Sequence, residues 1–188
     1  MTNSVPLTSE AQLFTPSASR LATLFFSDLD ELGRFEPLTV DRLPPHYRTL
    51  LAHNDHMTVA LENYHHAPVA VHALAEWRDE TSYARCSVLT RHSDDAIVQF
   101  GIMRIWLSDL PAAAQTEITA KRSPLGRVLI EHNVLREVEL ITLWQIEPGP
   151  LLRQHLKTNC NSPLYGRTAQ ILVDERPTVQ LLEIVSSE

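Results

Sequence analysis

The apolar positions along this chain change period more than once. Between Arg20 and Leu32 they fall at Leu21, Leu24, Phe25 and Leu29, the spacing of one helix face. Pro44-Pro45 opens a short helix through Leu50 and Leu51. Asp55 reads as the N-cap of a helix from His56 to about Tyr64, with Met57, Ala60, Leu61 and Tyr64 turned inward. From Pro68 the period becomes two. Residues 69–77, 82–90 and 97–107 read as strands, parted by polar turns at Arg78-Asp79-Glu80 and Ser93-Asp94-Asp95, which suits antiparallel hairpins. Helices return at 110–118 and 125–132, the second opened by Pro124. Residues 136–146 alternate again and stop at Pro148-Gly149-Pro150, before a short helix over 151–157. The last two strands, 164–173 and 178–185, are joined by Asp174-Glu175-Arg176-Pro177. Six strands, mostly consecutive, predict an α+β fold with a mostly antiparallel sheet. The Thr/Ser/Pro-rich residues 1–16 read as a flexible arm, and 17–188 as a single domain.

Three charges interrupt the apolar strands. Glu183 lies in Val179-Gln180-Leu181-Leu182-Glu183-Ile184-Val185, sharing a face with Leu181 and Val185. The other face is largely apolar too, so neither choice gives the carboxylate clear access to water. An unpaired buried carboxylate costs several kcal/mol or takes up a proton. Glu183 therefore calls for a cationic partner or a role in proton exchange, unless its strand is an edge and it points outward. Arg85 and Arg104 hold similar mid-strand positions, in Tyr83-Ala84-Arg85-Cys86 and Met103-Arg104-Ile105. One reading is a solvated face or a structural ion pair. The other is a polar pocket on the covered face, where Arg grips a carboxylate bidentately and Glu handles a proton.

Composition narrows the classes of partner. Apolar residues make up 44% and charged residues 21%, ordinary for a globular chain. The formal net charge of −7 argues against nucleic acid or an anionic membrane surface as a partner. An anionic ligand needs a local cluster of Arg or Lys. No apolar run approaches membrane-spanning length, and Met1 to Glu10 lacks the pattern of a secretory signal, so a cytoplasmic location is expected. Cys86 and Cys160 read as reduced structural thiols. There are nine His, but no motif with metal-ligand spacing, so no metal is expected. With five Gly, a nucleotide-cradling loop is not expected either. Ser123-Pro124-Leu125-Gly126-Arg127 opens a helix whose first amides can meet an anion, with Gly126 permitting close approach; it also reads simply as a turn with Pro in the first helical turn.

Taken in order, four stretches resemble the chorismate pyruvate-lyase family, in its divergent branch. They are Asp55-His56-Met57-Thr58; Tyr83-Ala84-Arg85 with Val88-Leu89; Ser123-Pro124-Leu125-Gly126-Arg127; and Leu164-Tyr165-Gly166-Arg167 followed by Leu181-Leu182-Glu183. The resemblance spans about Leu50 to Val185. It implies a six-stranded antiparallel sheet with helices covering one face. It also implies a cofactor-independent lyase that eliminates pyruvate from chorismate to give 4-hydroxybenzoate, or acts on a close analogue. Arg85 would bind the ring carboxylate with support from the amide of Leu125, next to Gly126. Glu183 would be the acid/base group, and Met57 would line and close the pocket. Where the family carries Arg after the Gly of its third strand, this chain has Gly101-Ile102. Arg104, two residues on and roughly 7 Å along the strand, is the candidate replacement as a substrate contact. The partner so implied is an aromatic or cyclohexadienyl carboxylate, and a homodimer stays open. The alternative is a non-catalytic binding or sensing domain for a small aromatic acid, since the ligand-sensing domains of GntR-type regulators have a similar fold. Such regulators carry a winged helix-turn-helix ahead of that domain, and the 50 or so residues that precede the fold here include no basic recognition helix.

Overall fold

In a computed structural model, which describes residues 15–158 and 162–186, seven strands form one sheet. They are β1 (Gly33–Leu38), β2 (Val69–Arg78), β3 (Tyr83–Arg91), β4 (Ile97–Ile105), β5 (Arg136–Pro148), β6 (Leu164–Val173) and β7 (Arg176–Val185). Their order is β1-β5-β6-β7-β4-β3-β2, and every neighbouring pair is antiparallel. The α+β class and large antiparallel sheet follow the sequence pattern. The strand count does not. β1 is the additional strand, at the sheet's edge against β5. Its sequence, Gly-Arg-Phe-Glu-Pro-Leu, alternates weakly and contains Pro37, a residue that sheets accept at edges. Phe35 anchors it edge-on to Trp144, with ring centroids 6.0 Å apart.

Helices α1 (Ala18–Ala22), α2 (Pro45–Leu51), α3 (Met57–His65), α4 (Ala112–Ala120), α5 (Leu125–Glu131) and α6 (Pro150–Leu156) complete the fold. The helix expected over 20–32 is only α1, followed by a tight turn at Leu29–Glu31. Local side-chain bonds break it: the Glu31 amide donates to the Asp28 carboxylate (3.2 Å), and the Ser27 amide to the Glu31 carboxylate (2.6 Å). The Asp28 side chain competes with helix continuation in this way. Leu24, Phe25, Phe26 and Leu29 still pack inward, so the apolar spacing reported burial without a continuous helix. Asp55 is not an N-cap. His56 occupies that position without a side-chain bond. On α3, Met57 and Leu61 are buried as expected, whereas Tyr64 is exposed and Thr58 is buried.

Strand alternation divides the sheet's side chains between two faces. Cys86, Val88, Phe100, Ile102, Leu182 and Ile184 face α1 and α6. The other face carries two apolar groups. Tyr83, Met103, Leu181 and Ala169 pack under α4 and α5. Leu89, Tyr165 and Val185 pack under α2 and α3. Helices thus cover both faces, where the resemblance implied one. Cys86 is a free, buried thiol among apolar neighbours, and desolvation pushes its pKa up to about 12; Cys160 lies outside the described residues. Among the described residues no helix is long and apolar enough to cross a membrane, and no cluster of His, Cys, Asp and Glu could hold a metal ion.

Candidate functional site

The two apolar groups under the helices are separated by a row of polar positions. Ser87 on β3, Gly101 on β4, Glu183 on β7 and Arg167 on β6 stand opposite one another in consecutive strand pairs. One step along, Arg85 opposes Met103, which opposes Leu181. One step the other way, Gln99 lies between Leu89 and Val185. A cavity of about 60 Å³ opens above this row. The sheet supplies its floor through Arg85, Ser87, Gln99, Gly101, Arg167 and Glu183. Its walls come from the starts of two helices, His56-Met57-Thr58 at α3 and Pro124-Leu125-Gly126 at α5, and from apolar side chains such as Val138, Ile171 and Leu181.

The helix starts meet closely because Gly126 has no side chain. A Cβ there would lie 3.0 Å from the His56 Cβ and 3.2 Å from the Thr58 hydroxyl oxygen. Gly126 therefore sets how near α5 comes to α3, and so how enclosed the cavity is.

Glu183 is buried on an interior strand, so it is not an outward edge residue. Its cationic partner is Arg167, whose Nε donates to Oε2 at 2.7 Å. Arg167 has no exposed surface. Its other nitrogens hold the segment ahead of α3: Nη1 donates to the His53 carbonyl (2.8 Å) and Nη2 to the Asp55 carbonyl (3.1 Å). One guanidinium therefore ties the sheet floor to the cavity wall. Asp55 contributes through its backbone, not its carboxylate.

Two histidines flank this arrangement in neutral form. The Asp55 amide donates to His53 Nδ1 (3.1 Å), so the ring proton sits on Nε2, beside the Leu50 carbonyl at 2.7 Å. Burial lowers the pKa of His53, and the Arg167 charge lowers it further. His56 Nε2 accepts from Arg136 Nε at 2.6 Å. Its pKa falls to about 4, first through desolvation and then through the charges of Arg136 and Arg167.

Arg85 is the other buried cation, only 2% exposed. Glu76 stands opposite it on β2, but among the described residues no carboxylate lies within ion-pair distance of Arg85. Its Nη1 reaches the Ile118 carbonyl at 3.5 Å, at the limit of a hydrogen bond. Its Nε has no hydrogen-bond partner among the described residues. Desolvation works against its charge, with Tyr83 and Glu76 opposing that effect. A buried guanidinium with unspent donors, lining a cavity, has the chemistry to hydrogen-bond an anion.

Five residues singled out from the sequence, Met57, Arg85, Leu125, Gly126 and Glu183, come together around this cavity. Arg104 does not. It shares the opposite face with Ile102, as strand alternation requires. There its guanidinium lies 5.6 Å from the Trp77 ring centroid and 5.0 Å from that of Trp106, and it donates to the Ser82 hydroxyl at 3.0 Å. It cannot replace an anion contact in the cavity. Arg167, Gln99, His53, His56 and Arg136 were missed as site residues. Arg167 carried the same signal as Glu183, a charge inside an apolar strand. The others carried none that separates them from surface polar residues.

No protein-family model matches the chain, and no curated protein matches it in sequence. Solved structures do match its fold. The effector domain of PhnF from Mycobacterium smegmatis has a TM-score of 0.54 at 12% identity, covering 81% of this chain and 92% of that one. A second structure of PhnF from the same organism gives 0.53 at 12%, covering 70% and 64%; the chain thus spans 64% of that structure's length. The ligand-binding domain of a GntR-family regulator from Bordetella bronchiseptica gives 0.46 at 13%, covering 63% and 86%. The chain has the chorismate lyase-like fold shared by these regulator domains.

These comparisons correct the expected activity. The fold likeness is to PhnF and its effector domain, and it does not support a chorismate pyruvate-lyase. The geometry agrees. Glu183, the residue expected to move the proton, is committed to a buried ion pair that also holds the cavity wall.

Proposed function

We propose that this chain is a small-molecule binding domain that senses or carries a small organic acid, with Arg85 as the anchor for the acid group. The observation that carries this reading is Arg85 itself: buried, with its Nε unmet among the described residues, and facing a partly open, mostly apolar cavity. Burying a charge without a partner costs several kcal/mol. A carboxylate entering the cavity offsets that cost, so the apo protein stores part of its binding free energy as preorganisation. The amides at the start of α5, at Leu125 and Gly126, lie in the same wall and add donors for the anion. The likeness to regulator effector domains supports the same class of function.

Cavity size bears on the ligand's shape. At about 60 Å³ it is smaller than the roughly 150 Å³ apolar cavity that accepts benzene. A compact acid fits as the cavity stands. An aromatic acid requires its walls to move, and the unbranched thioethers of Met57 and Met103 are the lining groups most able to yield. Met57 then adjusts the cavity mouth to the ligand.

The test is thermal unfolding and calorimetry of the purified protein against short aliphatic acids, benzoate and 4-hydroxybenzoate. A ligand at 100 times its Kd stabilises by about 2.7 kcal/mol. At least one acid should raise the melting temperature of the wild type and leave Arg85→Met unmoved. If no small acid stabilises the wild type, the reading is wrong.

A further inference from the structure

Among the described residues, Arg85 is one of two side chains in this cavity with a buried, unmet hydrogen-bonding atom. The other is Gln99. It is 6% exposed, and its carboxamide oxygen has no donor among the described residues. Its strand neighbours explain why. Gln99 stands between Leu89 and Val185, neither of which offers a side-chain donor. Its side chain folds back over Gly101, with Nε2 3.0 Å from where a Cβ on that residue would be. Any larger residue at 101 would occupy that space. The carboxamide consequently lies over the polar row of Ser87, Gly101, Glu183 and Arg167, lining the same cavity as Arg85.

The two open groups are complementary in kind. Arg85 Nε is a donor that needs an anion. Gln99 Oε1 is an acceptor that needs a donor. Arg85 and Gln99 sit on adjacent strands, on opposite sides of the polar row. With the carboxamide oriented as it is, a plain carboxylate does not meet the Gln99 oxygen, because an ionised carboxylate only accepts. Resting on the acid-binding reading above, we propose that Gln99 determines specificity. Its carboxamide oxygen accepts a hydrogen bond from a hydroxyl or amino group of the ligand, so the ligand class is a small acid that also carries a hydrogen-bond donor. A site built around a buried polar group rejects analogues that lack the matching group far more strongly than an apolar pocket rejects a missing methylene.

The experiment compares acids that differ only by one hydroxyl donor: propionate with lactate, butyrate with 3-hydroxybutyrate, and benzoate with 3- and 4-hydroxybenzoate. Binding to the intact chain is read by calorimetry, in the wild type and in Gln99→Met, which keeps length and removes the polar atoms. In at least one pair the donor-bearing acid should bind wild type roughly tenfold or more tightly than its parent, a difference of about 1.4 kcal/mol. Gln99→Met should lose that ratio while binding the parent acid within about threefold of wild type, which shows the variant is folded and its anion anchor intact. Equal binding of parent and substituted acids by the wild type overturns the inference and leaves the acid-binding reading standing; Gln99 then meets only water. A ratio that survives Gln99→Met overturns it as well. Failure of every acid to bind the wild type overturns both.

Discussion

Arg167 and Glu183 face each other on adjacent strands, guanidinium Nε to carboxylate Oε2 at 2.7 Å, with the arginine wholly buried. The same arginine also holds the carbonyls of His53 and Asp55, so sheet and helix lead-in share one cation. Removing one member of a buried pair leaves an uncompensated charge and typically costs about 3–5 kcal/mol. Arg167→Met should therefore destabilise the protein by that much in urea unfolding. Replacing both, as Arg167→Met with Glu183→Leu, should cost clearly less than the two single changes added together. Simple additivity would show that the pair is not the unit that holds the site.

Arg85 should behave in the opposite way. It is nearly as buried as Arg167, but the carboxylate across from it, Glu76, is already bonded to Tyr83 and Lys121. Arg85→Met removes an unpaired buried charge and keeps most of the apolar stem. Unfolding stability should stay level or rise by about 1 kcal/mol. A loss of 3 kcal/mol or more would mean that Arg85 is a structural cation and not a binding group.

The contrast between these arginines marks what the sequence could disclose. Period-two alternation placed six of the seven strands, because an apolar face must be buried and the pleat fixes which residues share it. β1 escaped because Pro37 and sparse apolar residues are compatible with a loop until Trp144 is seen across from it. Glu183 was legible as a charge where apolar residues belong. Its partner was not, because pairing depends on strand order, and β7 lies between β6 and β4, not beside β3. Register therefore gives Glu183 to Arg167, and sets Glu76 of β2 across from Arg85, where that carboxylate bonds Tyr83 and Lys121 instead. Gln99 was silent for another reason: a polar residue in a strand usually faces water, and only the covering helices make it a buried acceptor.

Gly126 tests how the cavity is closed. Ala in place of Gly within a helix ordinarily gains up to about 1 kcal/mol. Here the new Cβ would sit 3.0 Å from the Cβ of His56, whose ring is held by Arg136 at 2.6 Å and cannot easily retreat. Overpacking of this kind costs about 1–3 kcal/mol. Gly126→Ala should thus lower the melting temperature and widen the gap between α3 and α5. A stabilised variant would show that the two helix starts are free to part.

His56 sets the response of the fold to acid. Its pKa is about 4 in the folded chain, against an ordinary value of 6.5, because burial and the charges of Arg136 and Arg167 oppose a proton there. His53 is shifted in the same direction, by burial and Arg167. Between pH 6.5 and 4 the unfolded chain therefore binds more protons at these rings than the folded one. Stability rises with pH wherever that is so. The contribution is fully present above pH 6.5 and is lost as pH falls toward 4. A shift of this size at a partly exposed ring is worth on the order of 2 kcal/mol. The consequence is local as well as global, since a proton on His56 removes the acceptor for Arg136 and places two cations together at the cavity wall. Urea unfolding at a series of pH values should show wild-type stability falling across this window, and His56→Gln should flatten part of that slope. An unchanged slope in His56→Gln would assign the acid sensitivity to other groups.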